Sequence, residues 1–289
     1  ARARRGPAAE LVARILRGRA RPNDPDGSRH NIHAHYDLGN DFYELWLDAA
    51  YMQYTCAYYP APDATLDEAQ RAKMELVCRK LDLRPGERVI EAGCGWGGLA
   101  RYMAEHHGVR VRAYNISREQ IAHARARAEA EGLADRVEYV EDDYRNVTGT
   151  CDAFVSVGML EHVGRRHYRE LGRVIDRTLT DEGRALVHSI GQLRPLPLNA
   201  WSERYIFPGA YLPTLQEMLE VTTAADFRVV DVENLRPHYA RTLQHWRDRF
   251  EAHRAGIERR FGARFVRAWR LYLCGSKASF AVGDLQLYQ

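Results

Sequence analysis

The fold of this chain is decided by the stretch Val89-Ile90-Glu91-Ala92-Gly93-Cys94-Gly95-Trp96-Gly97-Gly98. An apolar run over 88–92 ends in a burst of glycine, and a helical pattern begins at 99–104. This order predicts a strand, a tight turn and the start of a helix. Glycine allows the backbone to turn sharply and to approach a ligand closely. The first N–H groups of the helix would face that ligand.

The glycines fit the dinucleotide-binding fingerprint G-x-G-x-x-G only loosely. An NAD site also needs an acidic residue at the end of the next strand. That strand, predicted over 109–114, is followed by Asn115, which argues against NAD. Glu91 can accept hydrogen bonds from a cationic amine, so the loop suits the methionine end of S-adenosylmethionine better. A strand-to-helix turn without any ligand is the alternative.

Strands and helices alternate after the glycine turn, which predicts a parallel, doubly wound α/β sheet. The predicted helices are 97–107, 117–131 and 165–178, and the predicted strands are 109–114, 136–141, 152–157 and 184–190. Before the turn, Thr65 and Glu68 form a capping box that predicts a helix to about Leu81. We expect Ala72, Leu76 and Cys78 to lie on its inner face.

We predict a basic mobile lead-in at 1–28 and one domain at 29–289. Within this domain, the regions outside the alternation are a cover at 30–64, a lid insertion at about 191–222 with a helix near 214–222, a strand at 227–233, C-terminal helices at about 240–273 and a final strand at 280–288. An apolar stripe along the C-terminal helices favours a core-facing surface over a membrane-inserted one. Its members are Phe250, Ile257, Phe261, Phe265, Trp269 and Leu273.

The composition of the 289 residues is that of a soluble globular protein, with no apolar stretch of membrane-spanning length and no signal peptide. Five cysteines without a C-x-x-C spacing predict a reduced, intracellular protein and no zinc site. His30, His33 and His35 invite a metal interpretation. No further ligand stands at a suitable spacing, so we expect no metal.

Positive charge is concentrated at the two ends of the chain, although the net charge is only +3. Residues 1–30 hold eight Arg against three acidic residues, and residues 236–270 hold ten Arg against three. An anionic membrane surface or nucleic acid would suit such ends, and solvated helix faces are the alternative. Basic ends alone are generic, so a nucleic-acid binder is the weakest hypothesis.

Several further motifs carry a family resemblance. They are His35-Tyr36-Asp37-Leu38-Gly39-Asn40, Tyr54-Thr55-Cys56-Ala57-Tyr58, Met159-Leu160-Glu161-His162-Val163-Gly164, Leu186-Val187-His188-Ser189-Ile190-Gly191, Tyr205-Ile206-Phe207-Pro208-Gly209 and His238-Tyr239-Ala240-Arg241-Thr242-Leu243. With the glycine loop, they make the chain resemble the cyclopropane-fatty-acid-phospholipid synthase family, of which mycolic acid cyclopropane synthases are relatives. The resemblance runs from about His30 to Gln289.

This resemblance implies a seven-stranded, Rossmann-like methyltransferase sheet. It also implies transfer of the methyl carbon of S-adenosylmethionine to a cis double bond in an acyl chain of a phospholipid. A cyclopropane ring then closes, with bound bicarbonate as the proton acceptor. The lipid substrate implies a cytoplasmic enzyme, peripheral to the inner face of the membrane.

The resemblance also implies the roles of individual residues. The bicarbonate cage would be Cys56, Glu161, His188, Ile190 through its backbone, and Tyr239. The cofactor-binding residues would be Tyr54, Thr55, Glu91, Gly93, Gly95, Asn115, Gln120, Asp143 and Tyr144. Tyr54 and Thr55 would meet the methionine carboxylate, Asn115 and Gln120 the ribose, and Asp143 and Tyr144 the adenine.

Four alternatives stay open at this point. The first is a fatty-acyl methyltransferase that gives a methyl-branched or methylene lipid. The second is a small-molecule N-methyltransferase, although amine methylation needs no anion cage. The third is a lipid-binding protein without catalysis, and the fourth is a homodimer rather than a monomer.

Overall fold

A single mixed sheet forms the centre of the structure, a computed structural model that describes residues 38–289. Its strands are β1 (Arg88–Ala92), β2 (Arg110–Asn115), β3 (Val137–Glu141), β4 (Cys151–Val157), β5 (Leu179–Gln192) and β6 (Leu285–Tyr288). Their spatial order is β3-β2-β1-β4-β5-β6. The first five strands pair in parallel and β6 is antiparallel to β5. The predicted doubly wound α/β fold is therefore confirmed.

The helices that connect these strands cover both faces of the sheet. They are α1 (Asn40–Glu44), α2 (Leu66–Lys80), α3 (Gly98–His107), α4 (Arg118–Ala130), α5 (Leu160–Val163), α6 (Tyr168–Thr178), α7 (Ala200–Tyr205), α8 (Leu215–Met218), α9 (Arg236–Ala252) and α10 (Arg254–Val282). Successive strand residues point to opposite faces. Val89 accordingly packs in one apolar cluster with α2, α3 and α4, and Ile90 packs in another with α6.

The predicted capping box starts α2. Thr65 Oγ1 accepts the N–H of Glu68 at 3.3 Å, and the Glu68 carboxylate accepts the N–H of Thr65 at 2.8 Å. The inner face is rotated slightly from the expected one. Cys78 is buried as predicted, whereas Ala72 and Leu76 are only half-buried. The rotation places Lys73 in the middle of the buried face.

The described residues form six strands, compared with the seven that the resemblance implies. The predicted strand at 227–233 is not regular. Backbone hydrogen bonds join Glu233 to Gln289 and Leu235 to Leu287, and Asn234 bridges to Tyr288. This pairing covers 233–235 alone, and residues 227–232 make no backbone ladder with a described strand.

The C-terminal region is more helical than the sequence pattern predicts. The final strand does not begin at 280, because α10 continues to Val282. α10 also bends at Gly262, whose φ is 83°. The predicted apolar stripe faces the core: Phe250 and Leu273 are fully buried, and Phe261 and Phe265 pack against the same cluster. In the lid, the helix predicted near 214–222 is one turn, α8.

The aromatic cluster is the apolar core formed by the cover, α9 and α10; it also contains Trp96 of the glycine loop and contacts Ile190 of β5. It therefore packs over the region where the glycine loop and the end of β5 lie. The predicted lead-in at 1–28 and the three histidines at 30, 33 and 35 lie outside the described residues.

Candidate active site

The residues singled out by the sequence gather at the carboxyl edge of the parallel strands. Glu91 and Asn115 stand at the ends of β1 and β2, and Asp143 follows β3. Glu161 follows β4, and His188 lies opposite Val157, the last residue of β4. Open α/β sheets bind their ligands at this edge.

The glycine loop is held against β2 and is shaped by close backbone contacts. The N–H groups of Gly93 and Cys94 both donate to the Tyr114 carbonyl, at 2.9 and 3.1 Å. A Cβ at Gly98 would stand 2.0 Å from the Tyr51 carbonyl oxygen, so only glycine fits there. At Gly95, with φ of 55°, no described heavy atom lies within 4 Å of such a Cβ. The loop is therefore tight on its inner side and open at Gly95.

Glu91 presents a buried carboxylate beside this loop. Its side chain is 3% exposed, and its Oε2 has no hydrogen-bond partner among residues 38–289. Burial raises the pKa of Glu91 to about 8, against the opposing effect of the Lys73 charge. A cationic amine in contact with Oε2 would compensate this cost. The arrangement fits the ammonium group of a bound methionine moiety.

Asn115 and Gln120 form a pair next to the open side of the loop. Asn115 Nδ2 donates to Gln120 Oε1 at 2.8 Å and to the Gly95 carbonyl at 3.2 Å. Gln120 Nε2 is buried and has no partner in the described part of the chain. This leaves an amide donor for a hydroxyl group, as a ribose would supply.

The two residues predicted near the adenine differ from each other. Arg145 engages both carboxylate oxygens of Asp143, at 3.1 and 2.9 Å, and thereby competes with an adenine amino group. The Tyr144 hydroxyl is buried without a hydrogen-bond partner in residues 38–289. Tyr144 therefore fits a ligand-facing position more readily than the Asp143 carboxylate does.

Tyr54 and Thr55 are fixed by the surrounding core. The Tyr54 hydroxyl lies 2.8 Å from the Tyr272 hydroxyl, and its ring packs 5.1 Å from Trp46 and 5.2 Å from Trp246. Thr55 Oγ1 accepts a hydrogen bond from Lys73 Nζ at 2.9 Å.

Glu161 and Ile190 make direct contact. The Ile190 N–H donates to Glu161 Oε1 at 2.7 Å. Glu161 Oε2 is buried and has no hydrogen-bond partner within residues 38–289. Burial raises the pKa of Glu161 to about 7, although the Ile190 N–H favours the charged form. One oxygen is thus held in place while the other stands ready for a ligand.

His188 lies two residues before Ile190 and so on the same face of β5. Its Nδ1 faces Gln289 Nε2 at 3.2 Å. An amide nitrogen only donates, so Nδ1 accepts and Nε2 carries the proton. Nε2 is buried without a partner among the described residues. Burial lowers the pKa of His188 to about 3, so the ring is a neutral donor.

Cys56 lies in the cover and Tyr239 lies on α9. Cys56 Sγ lies 3.2 Å from the Ala57 carbonyl oxygen and 3.8 Å from Thr242 Oγ1, one turn beyond Tyr239. Cys56 and Tyr239 belong to the aromatic cluster that Ile190 contacts. Burial raises the pKa of the Cys56 thiol, which keeps it protonated.

These observations test whether the residues fit the two ligands that the sequence implies. Unsatisfied buried polar atoms at Glu91 and Gln120, beside the open loop, suit S-adenosylmethionine. Those at Glu161 and His188 suit a small anion with an acidic hydrogen. Among residues 38–289, no group of three or more His, Cys, Asp and Glu side chains is arranged to hold a metal ion.

Two residues that hold the Thr55 segment in place were not predicted from the sequence. Lys73 and Gln70 stand on the buried face of α2 and bind the segment that carries Thr55. A Lys in an amphipathic helix normally indicates a solvated face, so no local pattern distinguishes this one.

Known proteins are similar to this chain in both sequence and fold. The family model described as mycolic acid cyclopropane synthetase matches residues 24–289. The chain is 41% identical to cyclopropane-fatty-acyl-phospholipid synthase of Escherichia coli, over 88% of this chain and 65% of that protein. It is 39% identical to a probable fatty acid methyltransferase of Pseudomonas putida, over 93% of this chain and 70% of that one.

The chain thus spans about two thirds of the length of these curated relatives. Among solved structures, mycolic acid cyclopropane synthase CmaA1, complexed with SAH and CTAB, superposes with a TM-score of 0.86 at 30% identity. That alignment covers 90% of this chain and 96% of CmaA1. The carboxyl-edge site, the aromatic cluster and these matches together place the chain in the mycolic acid cyclopropane synthetase family of S-adenosylmethionine-dependent C-methyltransferases.

Proposed function

We propose that this protein transfers the methyl carbon of S-adenosylmethionine to the cis double bond of a phospholipid acyl chain and closes a cyclopropane ring, with bicarbonate as the proton acceptor. The observation that carries this proposal is the buried Glu161 carboxylate. One oxygen is held by the Ile190 N–H, and the other has no partner among the described residues. A buried site with a positioned acceptor suits alkylation of a carbon that develops positive charge.

When bound, S-adenosylmethionine supplies an electrophilic methyl group and bicarbonate supplies a base that accepts a proton. Glu161 Oε2 and His188 Nε2–H would hold the anion between an acceptor and a donor. The Ile190 N–H orients Glu161 by holding its other oxygen. Cys56 stays a neutral thiol, which does not trap a carbocation as a thiolate would.

The aromatic side chains around the site suit an apolar substrate. Tyr239 packs 4.3 Å from Phe280 and 6.0 Å from Trp246, measured between ring centroids. Aromatic faces stabilise a nearby positive charge without reacting with it. These rings would exclude water while the cation exists.

A cavity of about 350 Å³ lies between the lid and the bent part of α10. It is lined by Leu38, Tyr205, Ile206, Phe261, Arg264, Phe265, Ala268 and Trp269. An apolar lining with one Arg suits an acyl chain whose anionic headgroup stays outside. We therefore propose this cavity as part of the path by which the lipid reaches the site.

The surface beside this cavity suits a negatively charged membrane. Arg259, Arg264 and Arg267, the outer arginines, are exposed and form no ion pair within residues 38–289. Arg254 and Arg260, in contrast, pair with Glu258 and Asp41. No helix among the described residues has the length and apolar character needed to cross a bilayer. Reversible docking through the outer arginines would bring the protein to its lipid.

A methyl-branched product is the second candidate. It is favoured by the 39% identity to a probable fatty acid methyltransferase, nearly equal to the 41% identity to the cyclopropane synthase. Both products begin with the same methyl transfer: loss of a proton from the added carbon closes the ring, whereas loss of a proton from a neighbouring chain carbon leaves a methyl-branched alkene.

Product analysis tests both candidates. The purified protein is incubated with S-adenosylmethionine and vesicles that contain one cis-monounsaturated phospholipid. Lipid mass spectra reveal the added carbon, and proton NMR distinguishes ring hydrogens from a methyl branch. An unchanged lipid in the presence of bicarbonate would refute the proposed function.

A further inference from the structure

The segment that carries the predicted cofactor contacts is clamped by two side chains of α2. Gln70 Nε2 donates to the backbone carbonyls of Gln53 and Thr55, at 3.2 and 2.9 Å. Lys73, one turn further along, donates to the side chains of the same two residues. The two α2 residues therefore fix both the backbone and the side chains of residues 53–55.

This clamp also contacts the glycine loop and the loop after β4. A Cβ at Gly98 would stand 2.7 Å from Gln53 Nε2, and a Cβ at Gly158 would stand 2.8 Å from Thr55 Cγ2. Gln53 thus lies against the turn that follows β1, and Thr55 lies against the turn that follows the neighbouring strand β4. The orientation of the Thr55 side chain therefore bears on what the turn after β4 can bind.

Burial of the Lys73 side chain at this position is energetically unfavourable. Its side chain is 1% exposed, although lysine is almost never fully buried unless it is paired. Burial lowers the pKa of Lys73 to about 8, and the nearby carboxylates of Asp48 and Glu91 oppose this effect. Asp48 is already occupied, because it accepts the N–H groups of Tyr51 and Gln53 at 2.9 and 2.7 Å.

One oxygen of the buried Glu91 carboxylate, Oε2, has no hydrogen-bond partner among the described residues, although the Lys73 charge acts on this group. Lys73 donates to Gln53 and Thr55 instead, and Glu91 Oε2 stays unsatisfied. Lys73 and Glu91 therefore act on each other electrostatically, and each favours the charged form of the other. Removing either buried charge leaves the other uncompensated.

We propose that Lys73 is a positioning residue for the methionine end of the cofactor: it orients the Thr55 hydroxyl, and its positive charge offsets that of Glu91. A threonine hydroxyl has one proton and two lone pairs. Because Lys73 occupies one lone pair, the Thr55 proton can point to a carboxylate. At the same time the ammonium favours an ionised Glu91, which the methionine ammonium needs. This inference rests on the proposed function, since it concerns the same cofactor site.

The pH dependence of cofactor affinity separates this role from simple packing. Lys73→Met removes the charge and the hydrogen bonds, whereas Lys73→Gln removes the charge and keeps a donor. Arg71→Met is the matched control, because Arg71 lies on the exposed face of the same helix. The full-length chain is titrated with S-adenosylhomocysteine by calorimetry from about pH 6 to about pH 9, the range in which both buried groups titrate.

We expect both Lys73 variants to bind S-adenosylhomocysteine about 10-fold or more weakly at neutral pH, as loss of a charge-assisted interaction implies. The pH of half-maximal affinity should rise in both, because Glu91 ionises less readily without the ammonium. Arg71→Met should keep the wild-type profile. A uniform loss of affinity, with the wild-type midpoint retained in Lys73→Gln, would overturn the inference. If Lys73→Met does not fold, Lys73→Gln alone decides.

Two different binding results would refute the role of Lys73 and the proposed function. If the wild-type chain binds S-adenosylhomocysteine and Lys73→Gln matches it at every pH, only the role of Lys73 is refuted. If the wild-type chain binds none at all, the cofactor assignment and the role of Lys73 are both refuted.

Discussion

Glu161→Gln is the substitution that separates chemistry from structure most sharply. Glutamine has the same shape and keeps an oxygen for the Ile190 N–H, which now reaches Oε1 at 2.7 Å. It removes the negative charge and replaces the unsatisfied acceptor Oε2 with a donor. We expect the rate of methyl transfer to fall at least about 100-fold, as for other positioned acid–base partners. Affinity for S-adenosylhomocysteine should not change.

The same substitution should alter how folding stability depends on pH. Burial raises the pKa of Glu161 from 4.5 to about 7, so the folded protein holds a proton that the unfolded chain has released between those values. Stability is therefore lost as the pH rises through this range. At about 1.4 kcal/mol per pH unit, the loss reaches roughly 3 kcal/mol. Glutamine does not titrate, so the variant should gain stability relative to the wild type over this range.

Two measurements check this reasoning. Transfer of a radiolabelled methyl group to vesicle lipid gives the rate, and urea unfolding at a series of pH values gives the stability difference. Near-normal turnover of the variant would remove Glu161 from the mechanism. A stability difference that does not grow with pH would show that Glu161 is not a buried, protonated carboxyl group.

Three further outcomes are expected. Gly95→Asp should abolish cofactor binding measured by calorimetry, because it places a charge in the open side of the loop. Gly132→Asp, at a position with positive φ and equally open surroundings, should bind the cofactor normally. Normal affinity in the Gly95→Asp variant would contradict the assigned site. Cys56→Ser should stay within about tenfold of wild-type activity, because one neutral hydrogen bond is exchanged for another, and a covalent Cys56 adduct found by mass spectrometry during turnover would disprove this role. Reversal of the three outer arginines to Glu should weaken sedimentation with anionic vesicles about 100-fold, at about 1 kcal/mol for each residue near the surface, and should matter less with detergent-dispersed lipid. Wild-type binding that is equal for neutral and anionic vesicles and insensitive to salt would show that these arginines are only solvated.

Sequence periodicity was sufficient for the parallel sheet because each strand there lies between a turn signal and a helical pattern. The stretch from Val89 to Gly98 could be interpreted locally, since Gly93, Gly95 and Gly97 have positive φ, a backbone conformation that favours glycine. The region 227–233 shows the limit of this approach. Its alternation is typical of a strand, but a strand also needs a partner, and within this region only Glu233 makes a backbone pair, with the distant residue Gln289.

The sequence was enough to propose residues for the candidate site, but it did not indicate the residues that support them. Glu161, His188 and Ile190 come from recognisable motifs, and the structure adds which atoms are held and which are left for a ligand. Asp143 shows the opposite case, because its pairing with Arg145 depends on a contact that no motif encodes. Lys73 shows why buried charges escape sequence reasoning: its burial depends on how α2 is rotated against the sheet.

Glu161 is also attached to the predicted lid, and we expect this attachment to affect the timing of each turnover. Its backbone carbonyl accepts the N–H of Tyr211 at 2.8 Å, while its side chain accepts that of Ile190. Opening of the predicted lid would therefore break a hydrogen bond to the residue that we propose as the holder of the anion. We expect lid opening and loss of the ordered site to be one gated event, so that a lipid is either committed to reaction or free to leave. The exchange rate of the Tyr211 amide hydrogen would report this gate directly, and exchange unaffected by a bound lipid would show that the two are independent.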